Sequence, residues 1–313
     1  MTVLRWGRSA YETDAALAAE EAGARVLGLD WAAVAGCDAP PLAGVDALVV
    51  TSGVRVDAAL VGRFSGSLVL TTTSGHDHID VGACAAQGIS VGRCPLARRD
   101  PVVEWSLGCL IGLMRQHPWF FAEAAAGRWA RAALPQRRPR GLHGARVAVI
   151  GLGVIGRRMS EVLEGLGARV LGVDPAGGGV SLTDALREAD AVSLHCALSP
   201  SSEGLIGAHE LAMLRPHAVL VNSARGRVLD VRAAVAAVRS GRLAGLAVDV
   251  FPEEPWPELA TGAQHPAVWF TPHAAGYTEG LGDRVAREVV AALTAWNAGR
   301  PLPHAVWEPA RHG

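Results

Sequence analysis

The feature that most constrains this chain is Val147-Ala148-Val149-Ile150-Gly151-Leu152-Gly153-Val154-Ile155-Gly156. Four apolar residues read as a buried strand, and glycines spaced G-x-G-x-x-G open a helix directly behind it. Gly151 permits the tight turn, Gly153 lets the backbone approach a pyrophosphate, and Gly156 lets the helix lie close on the sheet. Phosphates then sit on the free N–H groups of the first turn, Val154 and Ile155 included, at the positive end of the helix dipole. A second apolar strand, Arg169 to Val173, ends in Asp174, 18 residues after Gly156. A carboxylate there accepts hydrogen bonds from a ribose diol and repels a 2′-phosphate. The stretch therefore reads as a site for NAD, not NADP.

Composition narrows the class further. A chain of 313 residues is long enough for two domains. Half of it is hydrophobic, which supplies a large core. A net charge of −1 makes no electrostatic case for a nucleic acid or an anionic membrane as partner. All 29 basic residues are Arg, so Schiff-base chemistry and a P-loop lysine are excluded. Cys37, Cys84, Cys94, Cys109 and Cys196 are scattered, without a C-x-x-C pair, and read as reduced thiols of a cytoplasmic protein. The N-terminus lacks a signal core. The longest apolar run, Val102 to Met114, holds Glu104 and is too short to span a bilayer.

Along the chain, short apolar runs alternate with helical stretches. Val3 to Trp6, Arg25 to Leu29, Ala47 to Val50 and Leu68 to Thr71 read as strands. Asp14 to Ala22, stopped by Gly23, Asp57 to Arg63 and Val81 to Gln87 read as helices. Strands separated by helices imply a parallel sheet. Cys94 to Asp100 reads as a connector, with Asp100 as N-cap and Pro101 at the first position of a helix running to about Gln116. Its stripe of Val103, Leu107, Leu110, Ile111 and Met114 suits a core or a subunit contact. Phe120 to Trp129 reads as a further helix. Beyond Asp174 come strands at Ala191 to Leu194, Ala218 to Val221, Leu243 to Val248 and Val268 to Phe270. A last helix covers about Leu281 to Trp296.

Three groups fall just after strand ends: Arg225, Glu254 and His273. An Arg fork binds a carboxylate bidentately and can polarise an adjacent carbonyl. A His passes a proton to or from a hydroxyl, and a neighbouring carboxylate raises its pKa. With NAD, such a set would interconvert a 2-hydroxy acid and a 2-oxo acid. By residue type alone, Glu253 and Glu254 are equivalent candidates for the carboxylate.

The blocks Asn222-Ser-Ala-Arg-Gly-Arg-Val-Leu-Asp230, Asp249-Val-Phe-Pro-Glu-Glu-Pro255 and Thr271-Pro-His-Ala-Ala-Gly276 closely resemble the signatures of the D-isomer-specific 2-hydroxyacid dehydrogenases. Leu194-His-Cys-Ala-Leu198, Gly75-His-Asp-His-Ile-Asp80 and Gly127-Arg-Trp129 extend the resemblance over nearly the whole chain. The resemblance implies that Arg225 orients the substrate, that His273 is the acid/base, and that Glu254 is its partner. It implies cofactor contacts from His195, Cys196, Ala224, Asp249 and His273, with Asp249 on the nicotinamide amide. The backbone of Ser74, Gly75 and His76 would help hold the substrate carboxylate.

The implied fold is α/β with two doubly wound parallel-sheet domains, a Rossmann NAD-binding domain inserted in a discontinuous flavodoxin-like substrate domain. The boundaries expected are 1–96, 97–275 and 276–313, with the last helix returning to the first segment. The implied partners are a small 2-hydroxy or 2-oxo acid and a second copy of the chain, as a homodimer. Tyr277 and Val173-Asp-Pro175 are similar to the erythronate-4-phosphate dehydrogenase branch, but the chain stops at Gly313, short of that branch's C-terminal dimerisation domain. Ala197 stands where the family commonly has proline. Arg98 and Arg99 are candidates to select a second anionic group on the substrate. A non-catalytic NAD-sensing protein on the same scaffold, or a dehydrogenase of a small anion such as formate, are the alternative functions. No metal site is expected.

Overall fold

The computed structural model describes residues 1–9, 11–34, 41–174, 178–262 and 264–310. Two compact units emerge, residues 1–98 together with 277–313, and residues 99–276. The first begins with β1 (Thr2–Trp6), α1 (Asp14–Val26), β2 (Asp30–Val34), β3 (Ala47–Val50), α2 (Ala58–Val61), β4 (Leu68–Thr71), α3 (Val81–Ala86) and β5 (Ser90–Arg93). Helix α4 (Leu96–Met114) carries the chain into the second unit. There α5 (His117–Ala125) and the short α6 (Leu134–Arg137) precede β6 (Arg146–Ile150), α7 (Val154–Gly165), β7 (Arg169–Val173), α8 (Leu182–Glu188) and β8 (Ala191–Leu194). It closes with α9 (Ala208–Met213), β9 (Val219–Asn222), α10 (Val231–Arg239), β10 (Gly245–Val248), α11 (Leu259–Gly262) and β11 (Val268–Phe270). Helix α12 (Leu281–Asn297) and β12 (Ala305–Trp307) belong to the first unit again.

Each unit is a six-stranded sheet with helices on both faces. The orders are β12-β5-β4-β3-β1-β2 and β11-β10-β9-β8-β6-β7, parallel throughout except for β12 against β5. Strands β3, β4, β8, β9 and β10 are buried at every residue, which explains their unbroken apolar runs, since both faces of a parallel sheet are covered. In the second unit α4 and α7 cover one face through Leu110, Met159 and Leu163, and α8 to α10 cover the other. In the first unit α1 and α12 share one face, where Val285, Val289 and Leu293 pack on Val3 and Leu68. Strand order reverses beside β6, between β6 and β8. Crevices of that kind, outside the carboxyl ends of strands, are where α/β sheets bind ligands.

Four sequence expectations are corrected here. The Arg25–Leu29 strand is the end of α1 and a turn: Val26 points to solvent, Gly28 takes φ +71°, and pairing with β1 begins only at Asp30. Gly23 does not stop α1. A methyl there would come 2.4 Å from a Val290 methyl, so its small size serves packing against α12. Phe120 to Trp129 is not one helix; α5 ends at Ala125, and Trp129 is exposed.

The fourth correction concerns the connector. Helix α4 starts at Leu96, and Pro101 lies inside it rather than at its first position. The cap is not Asp100 but the Glu288 carboxylate from α12, which accepts from the N–H groups of Leu96 and Ala97. Pro101 cannot donate to the Ala97 carbonyl four residues back. Arg284 Nε takes that carbonyl instead, at 3.2 Å. Glu288→Ala should therefore cost about 1–2 kcal/mol, the worth of a helix cap. Urea denaturation measures it, and an unchanged midpoint would show that the cap contributes nothing.

Candidate active site

The second unit assembles its site at the carboxyl ends of β6 to β11, beginning with the glycine loop. Gly151 takes φ +98°, and a methyl on it would sit 2.4 Å from Cys196 N. A methyl on Gly156 would sit 1.8 Å from Gly151 O, so α7 lies as close to the loop as two backbones allow. Around the missing side chain of Gly153, by contrast, there is nothing within 4 Å. Gly153 caps α7 without a side-chain hydrogen bond, leaving the first-turn N–H groups of Val154, Ile155 and Gly156 uncapped beneath an open space. That is the cradle a pyrophosphate needs.

Asp174 stands at the end of β7, on a pocket of about 520 Å³ lined also by Val173, Gly178, Val180 and Leu205. Pro175 of the expected Val173-Asp-Pro175 block lies outside the described residues, as does Cys37. His195 follows β8. Its Nε2 pairs with Ser193 Oγ at 2.8 Å, and its buried Nδ1 has no partner among the described residues. Burial holds its pKa at about 4, so it is a neutral imidazole with one ring nitrogen left for a ligand. Cys196 is buried, and its thiol is pushed up to about 11 by that burial, with Asp174 adding to the effect. It offers backbone and a small apolar side chain, not a thiolate. Open cradle, acidic strand end and orphaned ring nitrogen together fit a dinucleotide.

The loop after β9 is built on Asn222. Its Oδ1 accepts from Ala224 N at 3.0 Å, and its Nδ2 donates to Arg225 O at 3.1 Å. The buried amide thus closes the turn from both sides and presents Arg225, whose Nη1 donates to Ala224 O at 2.7 Å. Gly226 then passes so close to the Phe251–Pro252 backbone that a methyl would meet Phe251 C at 1.8 Å. The Arg225 loop is thereby set against the loop that carries Glu254.

Glu254 and His273 meet directly. Glu254 Oε2 and His273 Nδ1 are 2.8 Å apart, and Glu254 Oε1 accepts from Phe251 N at 2.9 Å. Burial raises the Glu254 pKa, but the hydrogen bonds from His273 and Phe251 and the charges of His273 and Arg225 hold it below its ordinary value. The His273 pKa is raised, chiefly by its hydrogen bond to Glu254; burial opposes this, the charges of Glu254 and Asp249 add to it, and Arg225 detracts. Glu253 is exposed and makes no hydrogen bond or ion pair among the described residues. The carboxylate that geometry pairs with His273 is Glu254.

Asp249, at the end of β10, holds the His273 loop. Its Oδ1 accepts from Thr271 Oγ1 at 2.5 Å and Ala274 N at 2.7 Å, and its Oδ2 accepts from Ala275 N at 2.9 Å. Asp249 O accepts from His273 N at 2.8 Å. Held in this way, His273 adopts φ +55°, a left-handed conformation uncommon outside glycine.

In the first unit, Ser74, Gly75 and His76 form the loop after β4, all half-buried. Arg98 Nη1 donates to Thr72 O at 2.6 Å, with Glu12 and Glu288 near its charge. Arg99 pairs with its neighbour Asp100, which Arg158 also bridges at 3.1 Å. Both guanidiniums are thus engaged inside the protein. Asn222 and Thr271, which shape the two loops, escape a reading that looks for titratable groups. An Asn directly after a strand is the available signal for the first of them.

With the geometry in place, comparison with known proteins is decisive. Residues 107–275 match the family model for the NAD-binding domain of D-isomer-specific 2-hydroxyacid dehydrogenases. The chain belongs to that family. The (S)-sulfolactate dehydrogenase of Chromohalobacter salexigens is 33% identical over 258 residues, 78% of this chain and 82% of that protein. D-3-phosphoglycerate dehydrogenase of Escherichia coli is 33% identical over 235 residues, 71% of this chain; the match spans 57% of that longer enzyme. Among solved structures, D-lactate dehydrogenase from Aquifex aeolicus, complexed with NAD and lactic acid, superposes with a TM-score of 0.81. It is 22% identical, and the match covers 98% of this chain and all of that one. The second unit is accordingly the NAD-binding domain of a 2-hydroxyacid dehydrogenase fold. Among the described residues no helix is long and apolar enough to cross a membrane.

The pairing can be read without any substrate. In an NMR titration His273 should titrate above an unpartnered histidine, and Glu254→Gln should lower its pKa by about one unit, the loss of one charged hydrogen bond. Glu253→Gln should leave it in place. A His273 pKa indifferent to Glu254→Gln would break the pair.

Proposed function

We propose that the protein is an NAD-dependent oxidoreductase interconverting a D-2-hydroxy acid and the corresponding 2-oxo acid. The observation that carries this reading is the convergence of Arg225, Glu254 and His273 within one NAD-binding domain. The cradle of Gly151, Gly153, Val154, Ile155 and Gly156 holds the pyrophosphate, Asp174 the adenosine ribose. His195, Cys196 and the backbone at Ala224 complete the contacts to the cofactor in this reading. Asp249 retains one lone-pair direction beyond its three bonds, enough for the nicotinamide amide. Bound NADH supplies the hydride for C2 of the substrate.

What the protein adds is position and charge. The Arg225 fork holds the substrate carboxylate and polarises the 2-oxo group; in the first unit, the backbone of Ser74, Gly75 and His76 is a carboxylate-binding loop. His273 Nδ1 is occupied by Glu254, which leaves Nε2 to give the proton as the carbonyl oxygen becomes an alcohol. In the oxidative direction the same nitrogen takes it back. The Glu254 carboxylate keeps the imidazole oriented and stabilises its charged form.

The partner is a second copy of the chain. Helix α5 and the segment after it bury no residue, and Phe121, Trp129 and Leu134 are exposed. Aromatic surface on that scale calls for a covering protein face, and sedimentation should give the mass of a dimer. Cys84, Cys94, Cys109 and Cys196 are free and buried, which suits a reducing, cytoplasmic setting.

Reduction of a panel of 2-oxo acids tests the reading. Turnover with NADH should exceed that with NADPH by at least about tenfold in kcat/KM, roughly 1.4 kcal/mol. Arg225→Lys should lose at least about tenfold while still binding NADH, because an ammonium cannot reproduce the planar fork. Equal use of the two cofactors, or near-normal turnover by Arg225→Lys, would contradict it.

A further inference from the structure

In the Ser74–His76 loop the carbonyls of Ser74 and Gly75 are engaged, and the N–H groups of the same two residues are not. Ser74 O accepts from Arg93 Nη1 at 3.2 Å. Gly75 O accepts from the Thr73 hydroxyl at 2.8 Å, and that hydroxyl pairs with Thr71 Oγ1 at 3.0 Å. Among the described residues, the N–H groups of Ser74 and Gly75 donate to no acceptor. A peptide group responds as one dipole, so a cation on its oxygen makes its N–H a stronger donor. The Ser74–Gly75 peptide carries a guanidinium on its oxygen, and the Gly75–His76 peptide carries a hydroxyl.

Arg93 differs from the other enclosed arginines of the first unit. Arg5 is paired with Glu12 at 2.5 Å and Glu20 at 3.0 Å. Arg98 has Glu12 and Glu288 near its charge. Arg93 ends β5 in register with Thr71, its Nε is buried without a partner, and no carboxylate pairs with it among the described residues. Its neighbour His304, whose carbonyl accepts from Arg93 N, offers no counter-charge. Burial, and then the Arg93 charge itself, push that imidazole below its ordinary pKa. A half-buried cation without a counter-ion is unfavourable unless something negative completes it.

We propose that Arg93 is a positioning residue for the substrate carboxylate. It holds the Ser74–Gly75 peptide with its N–H free, strengthens that N–H as a donor, and supplies from beneath the loop the positive charge the bound carboxylate neutralises. The proposal rests on the reading that this loop receives a 2-oxo acid, and it deepens it: the first unit attracts the carboxylate by charge and does not merely accommodate it. Sequence spacing could not reveal this, because Arg93 meets the loop across two neighbouring strands.

The test compares wild type with R93Q, which keeps a donor without charge, and R93K, which keeps the charge. R93Q should raise KM for a 2-oxo acid about tenfold, the scale of a lost charge-assisted interaction, with the loss falling on KM and not on kcat. R93K should recover most of it. For the carboxamide of the same 2-oxo acid, wild type and R93Q should have equal kcat/KM, because there is no anion to attract. An unchanged KM for R93Q, or the same loss with acid and amide, would overturn the proposal, the latter by reducing Arg93 to a brace. If wild type reduces no 2-oxo acid, the functional reading fails by itself. Calorimetry of oxamate binding to the NADH complex then decides about Arg93: tighter binding to wild type than to R93Q by about tenfold supports it, and equal or absent binding overturns it.

Discussion

The site depends on one buried carboxylate. Asp249 is 1% exposed, yet it accepts three hydrogen bonds from the Thr271–Ala275 loop, and its own carbonyl takes the His273 N–H. These bonds satisfy a charge that would otherwise be costly to bury, and in doing so they fix the loop. His273 can keep a left-handed backbone only because its neighbours are tied down on both sides. The direction of its ring, and with it the contact to Glu254, follows from that anchor. Loosening Asp249 would misplace the imidazole without touching it.

Rigidity on the opposite side comes from packing. Phe251 stacks on Trp256 with ring centres 5.8 Å apart and meets Phe270 edge-on at 5.2 Å. Glu254 lies between these anchors and accepts a hydrogen bond from Phe251 N. The Arg225 loop leans on the same backbone through Gly226. Three strand ends are thus braced against one another before any ligand arrives, the preorganisation that charge stabilisation in a transition state requires.

The fold class was legible because parallel strands covered on both faces must be apolar throughout, as Val147 to Ile150 and Ala191 to Leu194 are. The glycine spacing was legible because backbone approach leaves no alternative residue. Harder to see were elements defined by neighbours. Strand β5, Ser90-Val-Gly-Arg, has a single large apolar residue, and Gly92 is glycine because Leu302 and Leu70 fill its place. The start of α4 was misread because its cap comes from Glu288, far along the chain, and local capping rules cannot see it. Residue type alone left Glu253 and Glu254 equivalent; the resemblance pointed to Glu254, and the turn after Asp249 is what brings that carboxylate to His273. Arg98 and Arg99 looked available in the sequence and are engaged in the structure, by Thr72 O and Asp100, whereas Arg93, in the unrecognised strand, pairs with no carboxylate among the described residues.

The central claim is that one proton, held on His273 by Glu254, accompanies the hydride. Reduction needs the imidazolium, and its pKa is raised, so kcat/KM for a 2-oxo acid should be full at low pH and fall as pH climbs through that raised value. The most direct measurement is this pH profile in wild type and in Glu254→Gln. The account predicts that the falling limb moves to lower pH in the variant while much of the activity well below it survives. A limb that stays where it was would contradict the account, and the proton would have to come from elsewhere.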